Sequence, residues 1–317
     1  MIRQDEQKFK TNMFEYFLGV DDLVVAVKEI QEHVKMTDGF DLFCRHWKAV
    51  GKSKKSVVCI HGIGGHSGFF TVMGQDLAED GIEVYALDLR GFGNSKEENL
   101  PRGDTSDFNR HLQDLDEVID FIRKRHSKNK VYMFGWSLGA LYTLWYSANH
   151  PDSLDGIVLA APAIKMECLM PRRDSIRISF LRLFTPRAFY DGYKTWSLDF
   201  RESEEGKIVL QDPLFTRRRS WRWYGGVKRA LSAKALQNAS RIEKPALIIL
   251  GEKDDVCIRD GANQLLRSLA TKDKSIHTFP DADHFFYHAL LLKTTVKHDP
   301  AKRKQVTSVV KDWLNAH

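Results

Sequence analysis

The stretch Lys130 to His150, KVYMFGWSLGALYTLWYSANH, constrains this chain more than any other. Val131, Tyr132, Met133 and Phe134 form a short apolar run with a β-branched and aromatic bias, which predicts a buried strand. Gly135-Trp136-Ser137-Leu138-Gly139-Ala140 follows, and then an apolar helix through Leu141, Leu144 and Trp145 that stops before Pro151. A G-x-S-x-G between a strand and a helix is the context in which a serine is driven through a sharp turn, its hydroxyl thrust out at the edge of a sheet. Gly135, Gly139 and Ala140 are small where larger side chains would collide with that turn. The helix N-terminus behind Ser137 favours negative charge developing beside it. The bland alternative is a chance G-x-S-x-G in a strand–helix corner, and the flanking elements favour the nucleophile.

From Ser56 onward the pattern alternates. Strands are expected over Ser56 to Ile60, Glu83 to Leu87, Gly156 to Ala160, Ala246 to Leu250 and Ser275 to Phe279. Helices are expected over Phe69 to Asp80, Phe108 to Arg125, Gly261 to Ala270 and Lys302 to Asn315. This alternation argues for an α/β fold with a mostly parallel sheet flanked by helices. Before it, Glu32 to Lys48 places Asp38-Gly39 between two strand-like runs, a hairpin signal. Residues 1 to 35 read as an extension with one or two short amphipathic helices across Phe14, Phe17, Leu23 and Val27.

Between about 163 and 238 the rhythm breaks and aromatics accumulate, which reads as a mostly helical cap inserted into a core of residues 1–162 and 239–317. That insertion also carries the charge. It holds 16 Lys and Arg against 8 Asp and Glu, in a chain whose net charge is +6. A nucleic-acid footprint over the whole protein is therefore not implied. Within the cap, Phe215, Arg217, Arg218, Arg219, Trp221, Arg222, Trp223 and Tyr224 interleave aromatics with guanidinium groups. This is either a solvated basic face with aromatics packed inward or a peripheral contact for an anionic membrane.

The opening MIRQDEQKFK is charged and has no apolar core, so no signal peptide is expected. No apolar run approaches the roughly 20 residues of a spanning helix. Cys44, Cys59, Cys168 and Cys257 lack metal-ligand spacing and read as reduced, mostly buried thiols of a cytoplasmic protein.

In such sheets, sites gather at the carboxyl ends of the strands. His61 to Gly65, Ser137, Asp254 and His284 all fall there. Serine needs a base, and the base an orienting carboxylate. The order Ser…Asp…His is the one this architecture uses. His284 is the first candidate for the base, with His288 in reserve and His277 inside a strand. For the acid, Asp254 is preferred to Asp255 as the first carboxylate after its strand. An oxyanion needs N–H donors, which Leu138 and the glycine-rich loop after the first sheet strand can offer. No Lys-Ser/Thr pair follows that loop, which argues against a nucleotide. His66 reads equally as a polar wall of the site or a helix-start residue.

Taken together, these residues resemble the serine α/β-hydrolases, and within them the monoglyceride lipase and lysophospholipase-like branch. HGIGGHSGFF is similar to that branch's HG-x-G-x-HS segment, ALDLRGFGNS to its D-x-R-G-x-G-x-S, and GWSLGA to its elbow. LIILGEKDDVC and FPDADHFFYH look like its acid and histidine segments. Phe92 and Trp136 stand where histidine is usual. The resemblance implies an α/β-hydrolase fold, Ser137 as nucleophile, Asp254 as acid, His284 as base, and Ile63 and Leu138 as oxyanion N–H donors. It implies no metal or organic cofactor, and a single-chain lipid ester as substrate, a monoacylglycerol or a lysophospholipid. A carboxylesterase, thioesterase or amidase could use the same triad, and a ligand-binding protein could keep the fold without turnover. Dehalogenase and epoxide hydrolase chemistry wants a carboxylate at the elbow, where this chain has Ser137.

Overall fold

The near-continuous apolar runs of the sequence lie side by side in one sheet. The computed structural model describes residues 27–166, 180, 184–195, 198–287, 289–290 and 300–317. The chain opens with β1 (Glu29–Lys35) and β2 (Asp41–Trp47), an antiparallel hairpin whose turn carries Gly39 at φ +86°, where glycine meets no steric penalty. Next come β3 (Lys55–Ile60), α1 (Thr71–Glu79), β4 (Glu83–Leu87), α2 (Arg110–Arg125), β5 (Lys130–Trp136), α3 (Leu138–Asn149) and β6 (Gly156–Ala160). The inserted stretch contributes β7 (Phe189–Asp191), α4 (Leu198–Glu202), α5 (Glu204–Gln211), β8 (Arg218–Ser220), α6 (Trp221–Gly226) and α7 (Ala235–Ala239). The sheet then resumes with β9 (Ala246–Gly251), α8 (Arg259–Ser268), β10 (Lys274–Phe279) and the closing helix α9 (Pro300–Ala316).

The strand order is β1-β2-β4-β3-β5-β6-β9-β10, antiparallel at β1–β2 and β2–β4 and parallel elsewhere. β5, β6 and β9 are buried along almost their whole length, as strands covered by helices on both faces must be. Their apolar runs leave no polar face because neither face meets water. α3 is likewise buried from Leu138 to Ala148, so it is a core helix rather than an amphipathic one. α2 is amphipathic, with Leu115, Val118, Ile119 and Ile122 inward. Its last turn, Arg123 to Arg125, complements the helix dipole.

The described elements of the inserted stretch are mainly helices, and they include one short ribbon that the sequence did not announce: β7 and β8 pair antiparallel, with Tyr190 opposite Arg219. Three-residue strands are too short to leave a period in the sequence. The ribbon also divides the basic aromatic stretch, which does not form one face. Arg219, Trp221 and Trp223 are buried, Arg222 forms an ion pair with the buried Asp104 at 2.7 Å, and Arg217 and Arg218 are exposed. The helices expected near Phe14 to Leu23 and the reserve base His288 lie outside the described residues.

One buried ion pair braces this frame. Arg90, after β4, meets Asp114 of α2 with two bonds of 2.8 Å, and both side chains are about 4% exposed. The same guanidinium lies 4.0 Å over the Phe40 ring in the hairpin turn. Removing one partner of such a pair strands a buried charge, at a cost of about 3–5 kcal/mol. Asp114→Ala should therefore lower stability by about 3 kcal/mol, the low end, because Asp38 stays 3.0 Å from Arg90. A urea midpoint unchanged from the native protein would contradict this.

Candidate active site

Three strand ends deliver the chemistry. β5 ends at Trp136, and the next residue, Ser137, takes φ +56° and ψ −115° before α3 begins. This conformation costs a non-glycine residue about 1–3 kcal/mol, so the surroundings must hold it. They do so by close approach. A Cβ on Gly139 would lie 2.1 Å from the Ile60 carbonyl oxygen of β3, and one on Gly135 would lie 2.4 Å from that of Gly139. The Ser137 N–H is anchored to the Ala160 carbonyl at 2.8 Å.

Three residues past β9, Asp254 turns back on its own chain, and one carboxylate oxygen accepts the N–H groups of Val256 and Cys257 at 2.8 Å each. The other oxygen lies 2.9 Å from Nδ1 of His284, which follows β10. An ionised carboxylate only accepts, so Nδ1 carries the proton and Nε2 keeps its lone pair. Asp255 does not take this place. His277 sits on the exposed edge strand β10.

Ser137 and His284 line one cavity, with Ile63 of the loop after β3 on its wall. Leu138 is the first residue of α3, so its N–H has no intrahelical acceptor. The cavity walls are otherwise apolar: Phe69, Trp136, Phe200, Val209, Phe215, Val256 and Phe285. Phe200 of α4 stacks on Phe285, the neighbour of His284, with ring centroids 5.7 Å apart, so inserted stretch and core close the cavity together. Ser137 is 2% and His284 7% exposed.

The glycine-rich loop is held from both sides. Below it, His61 receives the Leu89 N–H on Nε2, so its Nδ1 donates to the Gly62 carbonyl at 2.8 Å. Burial pushes this imidazole down to about 4, so it stays neutral. Above, the Thr216 N–H reaches the Gly64 carbonyl at 2.8 Å. Of the two readings of His66, the structure shows the helix-start one, and the residue is not among those that line the cavity. Its Nδ1 caps the short turn Ser67–Phe70 by accepting from Gly68, and its Nε2 donates to Asp212 at 2.6 Å. Asp88, fully buried, accepts the N–H groups of Ser67 and Asn94 at 2.6 Å each and so joins the two loops. Sequence reasoning missed Asp212, Thr216 and Asp88. The first two lie in a stretch with no regular pattern, and Asp88 was legible only as part of a motif.

Burial works against a charged His284, but the Asp254 carboxylate and its hydrogen bond outweigh it, and the imidazole titrates above its ordinary range. Burial likewise works against the Asp254 carboxylate. The His284 charge and the two backbone N–H groups prevail, and its pKa falls below the usual carboxylate value. Donor atoms of Asp254, Cys257 and His284, and separately of His46, Glu83 and His126, lie within 4.8 Å of one another. In each set the donors are already engaged: Asp254 with His284, Glu83 with His46 at 2.7 Å, and His126 with the Tyr85 hydroxyl at 2.7 Å.

Comparison with known proteins agrees with this geometry. A family model described as serine aminopeptidase, S33, matches residues 51–292. The monoglyceride lipase of Rattus norvegicus is 27% identical over 265 residues, 81% of this chain and 84% of that one. The monoacylglycerol lipase structure of Paleococcus ferrophilus superposes with a TM-score of 0.70 at 26% identity, covering 87% of this chain and 99% of that one. A monoglyceride lipase variant from Saccharomyces cerevisiae, solved with a substrate analogue, shares the fold at a TM-score of 0.73 and 20% identity, covering 95% and 98%. The chain is an α/β-hydrolase of the monoglyceride lipase-like kind, a serine ester hydrolase.

The raised His284 pKa fixes the sign of a pH effect. A base must be neutral, so kcat/KM should fall as pH drops through a value above the ordinary 6.5. In Asp254→Asn the raising influence is gone, so the acid limb should move to lower pH while kcat falls by about 10⁴-fold. A pH–rate profile with the same acid limb in both proteins would contradict the pairing.

Proposed function

The chain belongs to the serine aminopeptidase S33 family of α/β-hydrolases, and within it we propose that it hydrolyses monoacylglycerols through an acyl-enzyme on Ser137. The observation that carries this reading is the Asp254–His284 pair and Ser137 meeting at one apolar cavity. Ser137 attacks the ester carbonyl as Nε2 of His284 takes its proton. Asp254 holds the imidazole and stabilises its charged form. The N–H groups of Ile63 and Leu138 receive the oxyanion, and the positive end of α3 supports it. His284 returns the proton to the departing glycerol oxygen. Water activated by the same imidazole then frees the fatty acid. In this reading residues 163–238 are a cap on the core formed by 1–162 and 239–317.

The walls support a neutral lipid over the alternatives. Among the described residues, Ser137 and His284 are the polar side chains that line the cavity, apart from an indole N–H already engaged. A lysophospholipid phosphate brought against these walls would lose its hydration without a partner. Among the described residues the lining also holds no carboxylate for the α-ammonium of an aminopeptidase substrate. The rat relative's name, monoglyceride lipase, points the same way. A cytoplasmic setting goes with it, since Cys44 and Cys59 are buried free thiols. Among the described residues no helix is long and apolar enough to cross a membrane. Peripheral delivery of substrate is supported by the exposed pair Phe180 and Phe184, each 64% exposed with centroids 4.7 Å apart, and by the exposed Arg217 and Arg218.

A fluorophosphonate should label the native protein once, and Ser137→Ala, still folded, should be unlabelled and inactive. Full labelling of that variant would overturn the nucleophile. On acyl-matched substrates, kcat/KM for the monoacylglycerol should exceed that for the lysophospholipid by at least about tenfold, and the reverse order would overturn the substrate. In co-sedimentation, vesicles with anionic lipid should retain the native protein more than a Phe180→Ser/Phe184→Ser variant, and equal retention would remove the membrane contact.

A further inference from the structure

Trp136 precedes the nucleophile, departs from the commoner histidine and walls the cavity, and its indole N–H has so far been given no task. The geometry points to Trp136 as a positioning residue for His284, its indole N–H tying the backbone of the base to the elbow that carries the nucleophile. This rests on the reading of His284 as the base.

The loop after β10 needs such a tie. Asp281, Phe286 and Tyr287 take φ +58°, +53° and +54°, a left-handed conformation that aromatic side chains rarely adopt. Strain of this kind persists only where the surroundings over-determine it. Part of the restraint is the packing of the loop on β9: the Lys253 N–H donates to the Ala282 carbonyl at 2.8 Å, and a Cβ on Gly251 would lie 2.4 Å from that oxygen. That contact fixes the start of the loop, two residues before the base.

The base's own peptide is reached from elsewhere. Trp136 Nε1 donates to the His284 carbonyl oxygen at 3.0 Å, in a buried setting. The indole also packs 5.3 Å from the imidazole and 5.3 Å from the Phe285 ring. On its other side it leans on the glycine-rich loop, since a Cβ on Gly62 would lie 3.3 Å from the indole. One rigid side chain, adjacent to Ser137, thus touches the loop of the base and the loop of the oxyanion donor. Asp254 sets the tilt of the imidazole through Nδ1. Trp136 sets where its backbone stands relative to Ser137. A phenyl ring would lose the tie and part of the packing, whereas an indole-shaped ring without the N–H would lose the tie alone.

The test separates donor from ring. Trp136→Phe, and 3-benzothienylalanine at position 136, which keeps the indole shape but replaces N–H by sulfur, are compared with the native protein on a monoacylglycerol. We expect kcat to fall about tenfold or more in both, with KM within about threefold, because misplacing a catalytic group acts on the transition state. The rate of Ser137 labelling by a fluorophosphonate should fall by the same factor, since it uses the same base. The downfield proton of His284 Nδ1–H should broaden or shift in both variants. A benzothienyl protein with native kcat and an unmoved downfield proton would overturn the role. His284→Ala is run alongside. If it stays active, the base assignment itself falls and Trp136 has no base to position. If it is inactive while the benzothienyl protein is native-like, only the role of Trp136 is lost.

Discussion

The active site depends on a backbone constraint, the approach of the elbow to β3. Gly139 comes so near the Ile60 carbonyl that an added methyl would stand 2.1 Å from that oxygen. This approach lets α3 start directly behind Ser137, which aims the helix dipole and the Leu138 N–H at the place where charge would develop. It also forces Ser137 into its strained conformation at φ +56°. Enlarge Gly139, and the strand, the helix start and the serine cannot all keep their places.

Around this point polar contacts fix position, and the walls of the cavity are mostly apolar side chains. Asp254 is satisfied on both oxygens, so its charge is fixed in direction and its remaining influence falls on His284. The glycine-rich loop is held through His61 beneath and Thr216 above, which leaves little freedom for the Ile63 N–H. Apolar walls make these dipoles act at low dielectric, where a fixed donor counts for more than it would in water. Part of the inserted stretch belongs to this apparatus. Asp212 meets His66 and Arg222 meets Asp104, so residues 212–222 are fastened to the core, and Phe200 meets the site by ring stacking.

Much of this was legible in the sequence, for a physical reason. Parallel strands covered on both faces must be apolar throughout, so β3, β5, β6 and β9 announce themselves, and the turns after them are where chemistry gathers. Ser137, Asp254 and His284 stand at such turns, and the structure brings them to one place. What stayed hidden depends on distance or on short pairing. The His66–Asp212 bond spans 146 positions and the Trp136–His284 bond 148, and no local pattern marks either. The ribbon of β7 and β8 is three residues wide, and its pleat is what turns Arg219 inward from a stretch that reads as uniformly basic.

In the mechanism proposed above, Ser137, with its proton taken by His284, carries the acyl group between two half-reactions. Acid-quenched intact-mass spectrometry during turnover of a slowly hydrolysed monoacylglycerol tests it directly. A transient mass increase equal to the acyl group is expected, confined to the peptide that contains Ser137 and absent in Ser137→Ala. Steady turnover with no acyl adduct at any time, or an adduct on another residue, would contradict it.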